Sequence, residues 1–153
     1  MLNVSFLVPG MRREFGGCAG NIAYTLKMLG GDPVVMATVG QDAGPYLQYL
    51  DNLGIATDHI RKLDDTFTAQ AMITTDLDNN QITAFHPGAM SQSRLNSVAE
   101  AVRGDKRPAL GIVAPDSREG MLEHARQFAE AGIPFIFDLG QAMPDRKSTR
   151  LNS

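Results

Sequence analysis

The hexapeptide GGCAGN, Gly16 to Asn21, places two glycines, two small residues, a third glycine and a carboxamide directly before an apolar stripe of helical period. A turn of this composition at a helix start offers backbone N–H groups and lets a ligand approach the main chain closely. No Gly-Lys-Ser/Thr follows, so it is not a Walker loop. Gly-x-Gly-x-x-Gly is also absent, which disfavours a NAD-binding Rossmann unit. Taken alone, the hexapeptide reads first as a structural turn. The other chemistry-bearing residues are dispersed. Asp76 and Asp78 fall in a turn cluster, where an exposed loop supplies too few fixed ligands for a metal. Asp116, three residues before Glu119, has the spacing of a helix cap. His59, His86 and His124 share no ligand spacing. Cys18 is the sole cysteine, which excludes an internal disulfide and a cysteine-rich zinc site. It reads as a small packed residue.

The bulk properties narrow the function classes. The chain has 153 residues, which suits one domain or a large part of one. Hydrophobic residues make up 43% and charged residues 20%, the mixture of an ordinary globular protein. The net charge of −3 offers no basic footprint for nucleic acid. No apolar run approaches the roughly 20 residues that span a bilayer. The first residues lack the basic and apolar regions of a secretory signal. A reducing, cytoplasmic setting is the expectation.

Positioning elements follow from the periodicity. Ile22, Ala23, Leu26 and Leu29 recur at helical spacing and stop at Gly30-Gly31. Pro33 to Gly40 is a short apolar run, read as a buried strand. Tyr46, Tyr49, Leu50 and Leu53 mark a second helix closed by Gly54, and Leu95, Val98, Ala99 and Val102 a third. Ala109 to Ala114 reads as a strand, Met121 to Ala129 as a helix closed by Gly132, and Ile133 to Asp138 as another strand. Strands alternating with helices imply a parallel sheet covered by helices. Thr68 to Met90 breaks the rhythm. Its β-rich runs flank DLDNN, which predicts an antiparallel hairpin, either a lid over a site or a simple extension of the sheet. Val4 to Val8, ended by Pro9-Gly10, is a further strand candidate.

The last nine residues, Asp145 to Ser153, have no periodicity and carry three basic residues against one acid. They also read as the translation of a common sequencing adapter, GATCGGAAGAGCACACGTCTGAACTCC. The expectation is a non-native tail at 145–153 behind an authentic part at 1–144, with the lid hairpin at about 66–90. A sheet that stops there is unfinished, so the chain reads as the front part of a larger protein.

The wider spacing changes the reading of the hexapeptide. Gly16-Gly17, Ala19, Asn21, Ala23, Gly30 and Gly40 match the N-terminal signature of the PfkB, or ribokinase-like, carbohydrate kinases. GQD (Gly40 to Asp42), LGI (Leu53 to Ile55), FHPGAM (Phe85 to Met90) and FDLGQ (Phe137 to Gln141) resemble that family in the same order. Within it, SFLV, GGCAGN and TTDLDNNQITAFHPGAM look most like bacterial adenosine kinases. The resemblance implies a ribokinase-like αβα sandwich with a small β lid. It also implies transfer of phosphate from ATP, with Mg2+, to a hydroxymethyl group of a sugar or nucleoside, adenosine above all. The small molecule is the partner, and lid strands of such kinases also pair into homodimers. On this resemblance Gly16 and Gly17 bring backbone amides to ribose hydroxyls. The Asn21 carboxamide can donate to and accept from a vicinal diol; capping the first helix is its other role. Phe85 matches a lid aromatic that stacks on a base, and Ser5 a substrate-contacting serine. Asp116 lies near an acidic residue that reaches the sugar. Ala71 departs from the pattern, standing where another lid aromatic is common. The family's base, an Asp in Gly-x-Gly-Asp, and its ATP site have no counterpart in this sequence, so the chain itself is expected to be inactive. Two alternatives stay open: another sugar kinase such as a ribokinase, and a non-catalytic protein that binds sugars or nucleosides.

Overall fold

The computed structural model describes residues 3–103 and 107–140. The tail at 145–153 and the Gln141 end of FDLGQ lie outside them. Helix α1 (Cys18–Met28) is followed by β1 (Ala37–Val39), α2 (Gly44–Asn52) and β2 (Ile60–Lys62). β1 and β2 pair in parallel, Ala37 opposite Ile60 and Val39 opposite Lys62, so β1-α2-β2 is one crossover unit. The long helices stop for one reason. Gly30, Gly54 and Gly132 each take a positive φ, of 83°, 66° and 63°. The next residue's N–H then reaches back to a carbonyl inside the helix: Gly31 to Leu26, Ile55 to Leu50 and Ile133 to Phe128. This is the Schellman ending, and glycine takes the left-handed position without a Cβ penalty. Ile55 and Ile133 then turn inward and are almost fully buried.

Ala23, Val35, Leu50 and Ile55 form the core of this unit, with Ala19, Ala37, Tyr46, Leu53 and Ile60 packed around it. Fully burying a residue such as Leu50 or Ile55 stabilises the fold by about 1.5–3 kcal/mol. A second crossover unit holds β5 (Gly111–Val113), α4 (Arg118–Glu130) and β6 (Phe135–Phe137). Its parallel pairs run from Gly111 opposite Phe135 to Val113 opposite Phe137. Between the units lie the hairpin β3 (Gln70–Thr75) and β4 (Gln81–His86), a 3-10 segment (Gly88–Leu95) and the short α3 (Val98–Ala101). The 3-10 segment packs against both β1 and α4.

Several expectations change. The parallel strands form two separate pairs and not one continuous sheet, because no strand among the described residues bridges them. The run from Pro33 narrows to the three residues that face β2. Val35 still packs in the core, so burial outruns hydrogen bonding there. Val4 to Val8 is not a strand. It lies exposed with no pairing partner, and Val4, Phe6, Leu7 and Val8 all face solvent. The third helix shortens to α3, and Leu95 belongs to the 3-10 segment. Cys18 is exposed and not packed. β2 had no sequence signal, since HIRK neither alternates nor runs apolar.

The hairpin forms as read. Register puts Ala71 opposite Phe85 and Ile73 opposite Thr83 on one face, with Met72 opposite Ala84 and Thr74 opposite Ile82 on the other. Met72, Ile73, Ile82 and Phe85 are all more than half exposed. The Asp76 carboxylate closes the turn by accepting from the N–H groups of Asp78 and Asn80, each at 2.9 Å, and from the Asn80 carboxamide at 2.8 Å. Those bonds, the Asn80 side chain first, hold it below the ordinary carboxylate range. The turn uses this carboxylate itself.

Candidate functional site

The first turn of α1 is built without a side-chain cap. Gly17 is the N-cap residue, with φ 90° and ψ 143°, and no side chain accepts from the turn. Its carbonyl takes the first intrahelical bond, from Asn21 N–H at 2.9 Å. Asn21 is therefore one turn inside the helix and is not its cap, which removes its structural alternative. Its carboxamide is exposed and makes no hydrogen bond among the described residues. The first N–H groups of a helix have no carbonyl partner of their own. Uncapped donors and a free carboxamide thus stand side by side, and a Cβ at Gly16 or Gly17 would meet nothing within 4 Å. Asn21 also heads an apolar groove continued by Ile22, Thr25, Leu26 and Leu29 and faced by Ile112 of β5.

The corner is held from α2. Tyr46 donates its hydroxyl to the Gly16 carbonyl at 2.7 Å. Its ring stacks on Phe15, with centroids 5.0 Å apart and planes 10° from parallel. Tyr49 extends the cluster, 5.1 Å from Phe15. Burial, and then the neighbouring Tyr49, pushes the Tyr46 hydroxyl up from its ordinary range, so it stays a donor. Gly20 makes room for it, since a Cβ there would lie 1.8 Å from the Tyr46 oxygen.

A second polar cluster follows the carboxyl end of β1, where ligands of parallel α/β sheets gather. Gly40 N–H donates to the Thr68 hydroxyl at 3.0 Å, and Gln41 N–H to the Thr66 carbonyl at 2.9 Å. Asp42 accepts from Thr68 N–H at 2.8 Å and from the Gln70 carboxamide at 2.9 Å. Burial raises the Asp42 carboxyl, but these bonds outweigh it and leave it below the ordinary range. The root of the hairpin is thereby tied to GQD.

Asp116 follows the carboxyl end of β5, half-buried. It does not cap α4. Ser117 does, accepting from Gly120 N–H at 3.2 Å, while Asp116 accepts from Ser117 N–H at 2.7 Å. The hydroxyl one residue later is the group with the extended N-cap geometry. Burial pushes the Asp116 carboxyl up, against the Ser117 N–H, the Ser93 hydroxyl and nearby His124. Ser93 in turn lies 2.8 Å from the Ser117 hydroxyl. Phe85 projects from one hairpin face and Ser5 lies in the exposed N-terminal stretch. The structure unites Gly16, Gly17 and Asn21. Among the described residues no hydrogen bond or ring contact joins Ser5, Phe85 or Asp116 to them. A separate cleft between Met36, His59, Arg61 and Glu100 lies at the amino ends of β1 and β2, away from both clusters.

The sequence profile of the pfkB family carbohydrate kinases matches residues 2–151. The chain belongs to the PfkB family. A solved relative, the Burkholderia thailandensis nucleoside kinase in complex with inosine, is 59% identical over 94% of this chain and 46% of its own, with a TM-score of 0.81. The Methanocaldococcus jannaschii nucleoside kinase, an archaeal member of the ribokinase family, is 30% identical over 95% of this chain and 47% of its own, with a TM-score of 0.80. A curated nucleoside kinase from Methanothermobacter thermautotrophicus is 30% identical over 91% of this chain and 45% of its own. The chain thus spans about half the length of these relatives. Its fold is the corresponding part of a ribokinase-like α/β architecture.

The PfkB family implies ATP and Mg2+, and the described residues do not fit the Mg2+. Among the described residues no three His, Cys, Asp or Glu side chains gather to hold a metal ion. The chain carries neither a Walker lysine nor a Gly-x-Gly-Asp turn. No membrane-length apolar helix occurs among the described residues. Sequence reasoning missed Tyr46, Gly20 and the role of Asp42. The first two act through a contact 26 residues apart, which no local pattern carries.

Proposed function

We propose that the whole protein is an ATP-dependent nucleoside kinase, that this chain is its acceptor-binding part, and that adenosine is the acceptor converted to AMP. The observation that carries this reading is the uncapped first turn of α1 with the unpaired Asn21 carboxamide beside Gly16 and Gly17. Backbone donors and a carboxamide suit two adjacent ribose hydroxyls, each of which both donates and accepts. The inosine complex of the 59% identical relative supports a nucleoside over a simple sugar. In this reading the hairpin is the lid and Phe85 stacks on the base, with Ala71 opposite it leaving room on that face. Ser5 and Asp116 complete the acceptor side. ATP, Mg2+ and the Asp base belong to the part of the protein beyond Pro144, and residues 145–153 are not native to it. The protein works in the cytoplasm, and its hairpin edges pair across a homodimer.

Sequencing the gene past the codon for Pro144 tests the division. A downstream Gly-x-Gly-Asp supports the kinase, and an intact gene without one favours a non-catalytic nucleoside-binding protein. Thermal shifts of the completed protein with adenosine, inosine, ribose and fructose test the acceptor. Stabilisation by adenosine is expected, and a shift with ribose or fructose alone would overturn the nucleoside assignment. Sedimentation of the same protein reads the dimer.

A further inference from the structure

The hairpin leaves the body through a narrow root, and both of its legs are fastened there. The outgoing leg is held at Thr66 by Gln41 N–H, and at Thr68 by Gly40 N–H and by Asp42. The returning leg is held by Ala89 N–H, which donates to the Phe67 carbonyl at 2.8 Å. Two glycines make this closeness possible. A Cβ at Gly40 would lie 2.2 Å from the Phe67 carbonyl carbon, and one at Gly88 2.2 Å from the Phe67 oxygen. Both neighbours are backbone and cannot swing aside. Beyond the root, β3 and β4 hydrogen-bond to each other, and their side chains are exposed on both faces. The direction of the hairpin therefore depends on the root, where the Asp42 carboxylate bonds both Thr68 and Gln70. Its two oxygens take different partners, Thr68 N–H on the main chain and Gln70 at the start of β3. One bond would leave the leg free to pivot. Two bonds, one to the main chain of Thr68 just before β3 and one to the Gln70 side chain at its start, fix its angle.

We propose that Asp42 is a positioning residue that sets the angle at which the hairpin, and with it Phe85, stands over the body. The functional part rests on the lid reading above. Asp42 touches no substrate in this account; it acts through Thr68 and Gln70.

Spin labels test the clamp on the chain as it stands. In a Cys18→Ser background, cysteines at exposed Leu77 on the hairpin turn and exposed Gln48 on α2 report the angle by pulsed dipolar distance measurement. Asp42→Ala should at least double the width of the distance distribution. Asp42→Asn should restore most of the narrow width, because its carbonyl still accepts from Thr68 N–H and its NH2 donates to the Gln70 carboxamide oxygen once that amide flips. An unchanged width in Asp42→Ala, or an Asn variant as broad as Ala, would overturn the proposal. If Asp42→Ala fails to fold by circular dichroism, exposed Gln70→Ala carries the test: broadening supports the clamp, and an unchanged width overturns it. In the completed protein, Asp42→Ala should raise the nucleoside KM roughly tenfold with the ATP KM unchanged. If the distance broadens but neither KM moves, the clamp stands and the lid reading falls.

Discussion

Replacing Gly20 by alanine separates helix propensity from the tertiary contact that shapes the glycine corner. Gly20 is inside α1, so propensity alone favours alanine by about 1 kcal/mol. The added Cβ would lie 1.8 Å from the Tyr46 oxygen and 3.2 Å from its ring carbon, so the ring must move. Moving it breaks the 2.7 Å bond to the Gly16 carbonyl, worth about 0.5–1.5 kcal/mol. It also loosens the stack on Phe15, worth about 0.5–1.5 kcal/mol. The two losses together exceed the gain, so Gly20→Ala should destabilise the chain by about 1 kcal/mol. In a Tyr46→Phe background the oxygen is gone, and the remaining 3.2 Å contact relaxes by a few tenths of an ångström. There the same substitution should stabilise, by up to about 1 kcal/mol. Urea melts of wild type, both single variants and the double variant give the coupling, expected at about 1–2 kcal/mol. Equal effects of Gly20→Ala in both backgrounds, within about 0.3 kcal/mol, would refute the reasoning.

Two further outcomes follow from the second crossover unit. Ser117→Ala should cost about 1 kcal/mol, because it removes the α4 cap, while Asp116→Asn keeps an acceptor for Ser117 N–H; urea midpoints at neutral pH distinguish them. Asp116 also supplies a pH signature. Burial raises its carboxyl above the unfolded value, so protonation favours the fold. That contribution is full below the unfolded value and is lost as pH rises through the folded one. The stability of Asp116→Asn relative to wild type should therefore climb as pH rises from the ordinary Asp range through the higher folded value, and a flat difference would contradict the assignment.

Elements governed by short-range rules were legible. The glycines that end α1, α2 and α4 are one left-handed residue each, and each stripe before them buries one residue, Ala23, Leu50 and Met121, while Leu26, Leu29 and Leu122 stay exposed. The hairpin was legible because its turn residues are specific: Asp76 and Asn80 close it through their own side chains, and Asn79 takes the positive φ of 63°. What failed depends on distant partners. Val4 to Val8 has strand composition but no neighbour to pair with among the described residues, and strand formation needs one. β2 exists because β1 offers an edge, not because Ile60, Arg61 and Lys62 favour a strand. Asp116 showed cap spacing, yet the backbone turns one residue later and gives the cap to Ser117. The glycine turn that starts α1 was legible from composition and spacing. Its bracing by Tyr46 was not, since α2 brings that hydroxyl in across 30 residues from Gly16.

In the proposed kinase the Asn21 carboxamide and the uncapped turn beside it bind the diol of the nucleoside that receives phosphate. The most direct measurement is transfer of labelled γ-phosphate from ATP to adenosine and inosine by the completed protein, with and without Asn21→Ala. The wild type should form nucleoside 5′-phosphate. In the variant the nucleoside KM should rise on the order of tenfold or more, as two lost hydrogen bonds require, with the ATP KM unchanged. No labelled nucleotide from the wild type, or an unchanged nucleoside KM in Asn21→Ala, would contradict it.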